Sequence, residues 1–300
     1  MIRIYIIAIA WMLLTSLAHA GVGIDTLDEG TGVRAAGMGG AMVAVDGDIS
    51  APAFNPAGLA SCKRPQAMSS STQLFGGDLS RFALDGVYPI WDGVAGLNFI
   101  QEGVNDILLT SADSSNQPVI NGSFTASYRC LNFAYAKQLD NKTYVGGNFK
   151  YLSAELNNAS ASGFGLDLGV WRKLEQGYTV GAVAKNILPV SLGWSTGAKD
   201  EIPLKIVIGF SYVAKLWDRN ILLVADSELI VKNRPAKQSF GLEYTVSKDK
   251  NMSAVVRLGY NKASNITAGL GLSYQDFRLD YAYQDHSLGS SSQIALGYLI

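Results

Sequence analysis

From residue 63 onwards, apolar and polar side chains alternate in short runs separated by turn residues. In Ile266-Thr267-Ala268-Gly269-Leu270-Gly271-Leu272-Ser273-Tyr274-Gln275 the even positions are apolar or aromatic, while the odd ones are Thr, Gly, Ser and Gln. Because a β-strand points successive side chains to opposite faces, this period of two predicts a strand with one apolar face. Phe277 to Tyr283, Phe240 to Val246 and Ile294 to Ile300 follow the same rule. Further strands are read at 66–75, 80–90, 93–102, 122–138, 143–156, 163–174, 177–188, 202–215, 220–231 and 251–261. The total is about fourteen, an even number as single-chain bacterial barrels have.

The connections alternate in length. Trp91-Asp92, Leu139 to Lys142, Glu175-Gln176, Leu216 to Arg219, Lys248 to Lys250 and Asp276 are tight, whereas Gly103 to Asn121 and Pro189 to Glu201 are long. Outer-membrane barrels keep short turns on the periplasmic side and longer loops outside, so both termini are expected in the periplasm.

Composition narrows the class. The chain has 300 residues, is 48% hydrophobic and only 16% charged, and carries 24 Lys+Arg against 25 Asp+Glu. That balance offers no basic excess to a phosphate backbone, which excludes nucleic acid as a partner. Residues 1–20 read as a signal peptide: Arg3 precedes an apolar run from Ile4 to Leu17, and Ala18-His19-Ala20 is a small-x-small cleavage pattern. The rest has no apolar run of about 18 residues, so a spanning helix is not expected. An exported, apolar, charge-poor chain that alternates reads as all-β: a transmembrane antiparallel barrel over 63–300, in the outer membrane of a Gram-negative-type bacterium and in contact with its lipids.

The polar parity carries Asp85, Lys150, Asp167, Lys185, Lys205, Glu243, Arg257, Arg278 and Asp280. Mixed signs suit either a polar conduit or a lumen packed with its own ion pairs. Tyr88, Trp91, Trp171, Tyr212, Trp217 and Tyr260 lie near strand ends, as interfacial girdles do. Residues 21–62 do not alternate. They are small and glycine-rich, with Arg34, Gly39 and Gly40 in one cluster and Asn55-Pro56 in a turn, and they read as a compact hatch or plug inside the barrel, with these five residues as gating candidates. No Lys-Ser/Thr follows the Gly37 to Gly40 cluster, so it is not a phosphate loop.

Gly32-Val33-Arg34-Ala35-Ala36-Gly37-Met38-Gly39-Gly40-Ala41 followed by Asn55-Pro56-Ala57-Gly58-Leu59 resembles the N-terminal signature of the PorV/PorQ family, relatives of the FadL-type outer-membrane transporters. Gly163 to Gly169, Gly241-Leu242-Glu243-Tyr244, Leu279 to Tyr283 and Leu288-Gly289 extend the likeness over nearly the whole mature chain. The resemblance implies a fourteen-stranded barrel with an N-terminal hatch, passing or binding hydrophobic small molecules such as fatty acids. The alternative it implies is a non-transporting type IX secretion component that holds or shuttles secreted proteins, with secretion-system proteins as partners. The chain departs from dedicated FadL transporters in its shorter loops, and it ends on Ile300 where barrels usually end on an aromatic.

Enzymatic chemistry is weakly supported. Beyond residue 20 the only histidine is His286, and its neighbours Asp285 and Ser287 share one loop, where a hydrolase's nucleophile and base do not ordinarily face each other. A barrel lipid hydrolase is therefore the remote reading, and no cofactor or metal is expected. Cys62 and Cys130 are either a disulfide, which export permits, or two separate thiols.

Overall fold

The computed structural model describes residues 30–230, 236–249, 251–286 and 289–300. The signal-peptide reading of residues 1–20, and residues 21–29 of the hatch, lie outside them. The strands are β1 (Gln66–Leu74), β2 (Leu79–Ile90), β3 (Gly93–Ala112), β4 (Pro118–Gln138), β5 (Thr143–Leu156), β6 (Ala159–Lys173), β7 (Tyr178–Lys185), β8 (Val190–Trp194), β9 (Lys199–Ile202), β10 (Lys205–Leu216), β11 (Arg219–Ile230), β12 (Lys237–Lys248), β13 (Met252–Asn261), β14 (Asn265–Tyr274), β15 (Phe277–Gln284) and β16 (Ser291–Leu299). All but β8 and β9 form one antiparallel sheet of fourteen strands. β1 pairs with β16, and every other neighbour in the ring is the next barrel strand in sequence, so the sheet closes on itself and has no edge.

Alternation decides which side each residue faces. Leu270, Leu272, Ile294, Leu296, Phe164 and Ile208 are exposed on the outside, while Asp167, Arg257, Asp280 and Thr267 are buried on the inside. With the backbone fully paired in the sheet and an apolar outer band, this is a transmembrane β-barrel. Among the described residues, no helix is long and apolar enough to cross a membrane.

The tight turns form where they were expected. Trp91, Trp217, Asp218 and Gln275 take positive φ, which matches the twist of two-residue hairpins. Tyr88, Trp91, Trp217 and Tyr260 are exposed as girdle residues would be.

Three expectations change. Residues 103–112 and 118–121 are strand rather than loop, because β3 and β4 continue as a two-stranded hairpin beyond the last β2–β3 pair, Ser80 with Gly103. Register shifts at Val104/Ile107 and Leu109/Thr110 break the period of two there, which is why the sequence pattern fades. The long connection after β7 holds the β8–β9 hairpin, whose Val190, Leu192 and Ile202 pack into an apolar cluster with Ile100, Cys130 and Leu152. Trp171 is no girdle residue: it shares the inward parity of Asp167 and Gly169 and is 1% exposed.

The two faces respond differently to charge. Leu270→Arg places a cation on the outer band at a cost of about 2–4 kcal/mol near the midplane. Thr179→Arg points into open space inside the barrel. Heat-modifiable gel mobility should show loss of the folded form for the first and retention for the second; equal loss contradicts the assigned faces.

Candidate functional site

A fourteen-strand ring is wider than its own side chains fill, and residues 30–62 occupy the space. The segment has two short helices, α1 (Val33–Gly37) and α2 (Ala51–Phe54), and a 3-10 turn at Pro56–Ser61. Most of its side chains are buried, including Met38, Ala41, Ala57 and Leu59.

The wall accepts this backbone because it carries glycine where they meet. Gly96, Gly146, Gly169, Gly181, Gly209, Gly241 and Gly259, on seven different strands, each lie where a Cβ would collide with the segment, and on an eighth strand a Cβ at Gly269 would press on Gly37 at 3.1 Å. At Gly209 that carbon would be 2.8 Å from Val43 Cβ, and at Gly96 2.5 Å from Leu59 Cδ1. On the segment itself, Gly39 has φ +65° and a would-be Cβ 2.7 Å from the Tyr260 carbonyl oxygen, so both conformation and room demand glycine. Gly40, with φ +83°, needs glycine for its conformation alone.

Side chains from the wall then satisfy the segment's backbone. Asp226 accepts from the Met42 and Val43 amides at 2.7 and 2.9 Å, and the Ser211 hydroxyl donates to the Ala44 carbonyl at 2.8 Å. Asn261 Nδ2 donates to the Gly39 carbonyl at 2.8 Å, while the Gly39 amide donates to Thr267 Oγ1 at 3.0 Å. Lys185 Nζ donates to the Ala53 carbonyl at 2.7 Å. Trp171 Nε1 donates to the Ala57 carbonyl at 2.7 Å, and its ring stacks on Tyr144 with centroids 4.1 Å apart.

Asn55 is the internal tie. Its Nδ2 donates to the Val43 carbonyl at 2.7 Å and to the Val170 carbonyl at 3.2 Å, and its Oδ1 accepts from the Ala57 amide at 3.2 Å. Pro56 opens the 3-10 turn, and the residue before a proline favours the extended backbone that Asn55 adopts.

Two polar networks cross the lumen. In the first, Arg34 grips Glu243 with two nitrogens, at 2.8 and 2.9 Å, and reaches Asp48 at 3.2 Å. Arg257 bonds Glu243 and Asp280, each at 2.6 Å, and Arg278 pairs with Asp280 and lies 3.8 Å from Asp48. Three cations thus meet three carboxylates, joining the segment to β12, β13 and β15. Burial by itself disfavours charge on both Arg34 and Asp48, yet Glu243 and Asp48 raise the Arg34 pKa, while Arg278, Arg34 and the Ser50 donors hold Asp48 below the usual carboxylate range.

The second network was not visible as a set. Asn98 donates to Asp85 at 2.7 Å, Asn132 to Asn98 at 2.6 Å, and Asn148 to Asn132 and Asp167 at 3.0 and 2.9 Å. Asp167 also pairs with Lys150 at 2.9 Å. One buried amide each on β3, β4 and β5 therefore bridges the two carboxylates, and Asn186 caps the end by donating its amide to Asp167. Lys205 stands opposite Lys185 across the β7–β10 pair and lines the cavity above the segment with Asp226 and Glu228.

The lumen charges are therefore built into polar networks and cavity walls, and the five hatch candidates all lie in the contact zone. A disulfide does not form: Cys62 and Cys130 are both buried thiols in separate apolar clusters, one under the segment and one under the β8–β9 hairpin. Burial, helped by the negative charges of Asp48 and Asp46, pushes the Cys62 thiol up to about 12. His286 packs edge-on against Phe75, with Nδ1 3.1 Å from the Ala263 carbonyl oxygen.

Open space remains on both sides of the segment. A cavity of about 170 Å³ lies towards the long-loop end, bounded by Val43, Phe54, Phe75, Lys185, Lys205 and Asp226 among others. A larger one of about 520 Å³ lies towards the short-turn end, bounded by Ala44, Val45, Asp46, Thr179, Ser211 and Leu222 among others. The molecule is thus an occluded transmembrane β-barrel.

Solved structures share this fold. They include the toluene transporter TbuX of Ralstonia pickettii (14% identity over 91% of this chain and 99% of that one, TM-score 0.55). The toluene transporter TodX of Pseudomonas putida and a FadL homologue of Pseudomonas aeruginosa each match at 12% identity, 90% and 98% coverage and TM-score 0.59. At these identities the likeness is one of fold. No protein-family model matches the chain, and neither does any curated protein.

Removing Arg34 leaves Asp48 and Glu243 short of their partner, which should weaken docking of the segment by about 3 kcal/mol, the low end for a broken buried pair because Arg257 still faces Glu243. Cys62 reports on it, since at pH 8 a thiol of this pKa is about one part in 10⁴ thiolate and is covered besides. Maleimide labelling of Cys62 in a Cys130→Ala background should be roughly a hundredfold faster in Arg34→Ala, as 1.4 kcal/mol is a factor of ten. Fast labelling of the parent protein contradicts the docked geometry.

Acid should release the same contact. A depressed Asp48 pKa contributes stability that is present above the ordinary carboxylate pKa and is lost as pH falls towards the folded value. Protease resistance of residues 30–62 should hold from pH 7 to about pH 4 and decline below it. Asp48→Asn should lessen that decline without abolishing it, because Arg34 still bonds the Glu243 carboxylate; a loss centred near pH 6 in the parent contradicts the assignment.

Proposed function

We propose that this chain is an outer-membrane channel of the FadL type that passes or binds hydrophobic small molecules such as fatty acids, with both termini in the periplasm. The observation that carries the reading is a lumen closed by a separately docked segment with a cavity on each side of it. A purely structural barrel has no need of two compartments divided by so many specific contacts. The walls of the outer cavity combine apolar Val43, Phe54, Phe75 and Val207 with cationic Lys185 and Lys205, which suits an apolar body with an acidic head. Solved barrels of this fold include proteins described as toluene transporters and as a FadL homologue, which supports a hydrophobic permeant here.

The N-terminal signature supports placing the chain nearest the PorV/PorQ branch, and with it comes the second reading, a type IX secretion component. One feature favours that reading: the free-standing part of the β3–β4 hairpin exposes Leu108, Leu109, Val119 and Ile120, a surface suited to a protein partner.

Purification in mild detergent followed by lipid extraction and mass spectrometry separates the two. The channel reading expects a co-purified fatty acid or similar amphiphile that is lost in Lys205→Glu. A stoichiometric secreted protein, released by Leu108→Asp or Ile120→Asp and with no bound amphiphile, overturns it in favour of secretion.

A further inference from the structure

The outer cavity is the smaller of the two, and its size and charge together narrow what it can hold. Its volume of about 170 Å³ is close to the roughly 150 Å³ that encloses one benzene ring. Where the inserted segment meets the wall its lining is apolar: Val43 and Val207 share a cluster with Val183, and the Phe54 ring lies beside Lys185, whose Nζ is 5.9 Å from the ring centroid.

Two lysines stand side by side over this apolar part. Lys185 and Lys205 are direct partners across the β7–β10 pair, both border the cavity, and they are only 8% and 4% exposed. Like charges placed directly opposite each other repel. Four cations border the cavity among the described residues, and Arg81 is bonded to Glu102 at 2.7 Å. That leaves Lys185, Lys205 and Lys237 against the carboxylates of Asp226 and Glu228, and one oxygen of Asp226 is occupied by the Met42 and Val43 amides. With His286 counted as neutral, the lining carries one positive charge in excess.

We propose that the outer cavity is a binding site for a single-ring aromatic monocarboxylate, of the benzoate class, with its ring against Val43, Val207 and Phe54 and its carboxylate between Lys185 and Lys205. The inference rests on the channel reading above and narrows the permeant. One negative charge balances the excess and offsets the repulsion between the two lysines, which a neutral hydrocarbon ring leaves in place. One ring matches the volume, whereas a long acyl chain leaves most of its methylenes outside the cavity and unburied. A ring also gains from Phe54 beyond the area it buries, because aromatic pairs attract at offset or edge-on geometries, and its face is open to the neighbouring ammonium groups.

The test uses the full-length protein in lipid nanodiscs, with binding of radiolabelled benzoate measured by equilibrium dialysis against empty nanodiscs. Benzoate and phenylacetate should compete at least tenfold better than octanoate, which has the charge without the ring, and than toluene, which has the ring without the charge. Lys205→Met keeps the stem and removes the charge, and it should weaken benzoate binding about tenfold. Lys205 is the position to change because Lys185 also fastens the segment through the Ala53 carbonyl. Val207→Phe fills the cavity and should abolish binding. Uptake of benzoate and octanoate into liposomes tests the channel reading separately.

Failure of benzoate to bind, octanoate or toluene competing as well as benzoate, or a folded Lys205→Met that binds benzoate like the parent, overturns the proposal. If the variants do not fold, the ligand comparison on the parent protein decides. Uptake of octanoate without benzoate binding overturns the proposal and leaves the channel reading standing. Uptake of neither compound refutes the channel reading instead, and the binding comparison still decides the site.

Discussion

The controlling constraint is that a backbone inserted into a barrel must leave no polar group unpaired. A buried amide or carbonyl without a partner costs about 1–3 kcal/mol, and residues 30–62 bring many of both into the lumen. Short helical turns satisfy a few internally. The wall supplies much of the remainder through Asp226, Ser211, Asn261, Thr267, Lys185 and Trp171, each aimed at a main-chain atom rather than at another side chain. Close approach is the precondition, and the ring of inward glycines supplies it. The charges, the small residues and the position of the cavities all follow from that fit.

The same fit explains why the lumen is polar without being a wide pore. Arg34 and Asp48 enter among Glu243, Arg257, Arg278 and Asp280 so that opposite charges meet within hydrogen-bonding distance. Across the barrel, amides of Asn98, Asn132 and Asn148 replace charges and link Asp85 to Asp167. Breaking either array leaves a charge stranded at low dielectric, so both act as rigid framework. Open space lies along the wall of β7, β10 and β11 and beside the Arg34 network.

Most of the barrel was legible because its signal is local. The alternation of β14 or β15 survives inspection of ten residues, and tight turns such as Trp91-Asp92 mark the register. The β3–β4 hairpin beyond Gly103 was not legible, because one irregularity inverts the parity of β3 and a second, a few residues on, inverts that of β4. Arg34, Gly39 and Asn55 stood out as unusual residues in a non-alternating segment. Their wall partners did not: Thr267, Asn261 and Asn148 are ordinary polar residues until pairing across distant strands brings them to one place. Two signals were present and unread. Glycine recurs at inward positions on eight strands, and Trp171 shares the parity of Asp167, which already placed it inside. The separation of Cys62 from Cys130 is a property of the tertiary fold, so spacing alone left that choice open.

Residues 30–62 are the closure of the lumen. Single-channel conductance of the barrel in planar bilayers, with and without these residues, measures that directly. The intact protein should be nearly silent, and the shortened one should show a large, stable conductance while still running as a heat-modifiable barrel. A folded, shortened barrel with the conductance of the intact protein would show that residues 30–62 do not close the lumen.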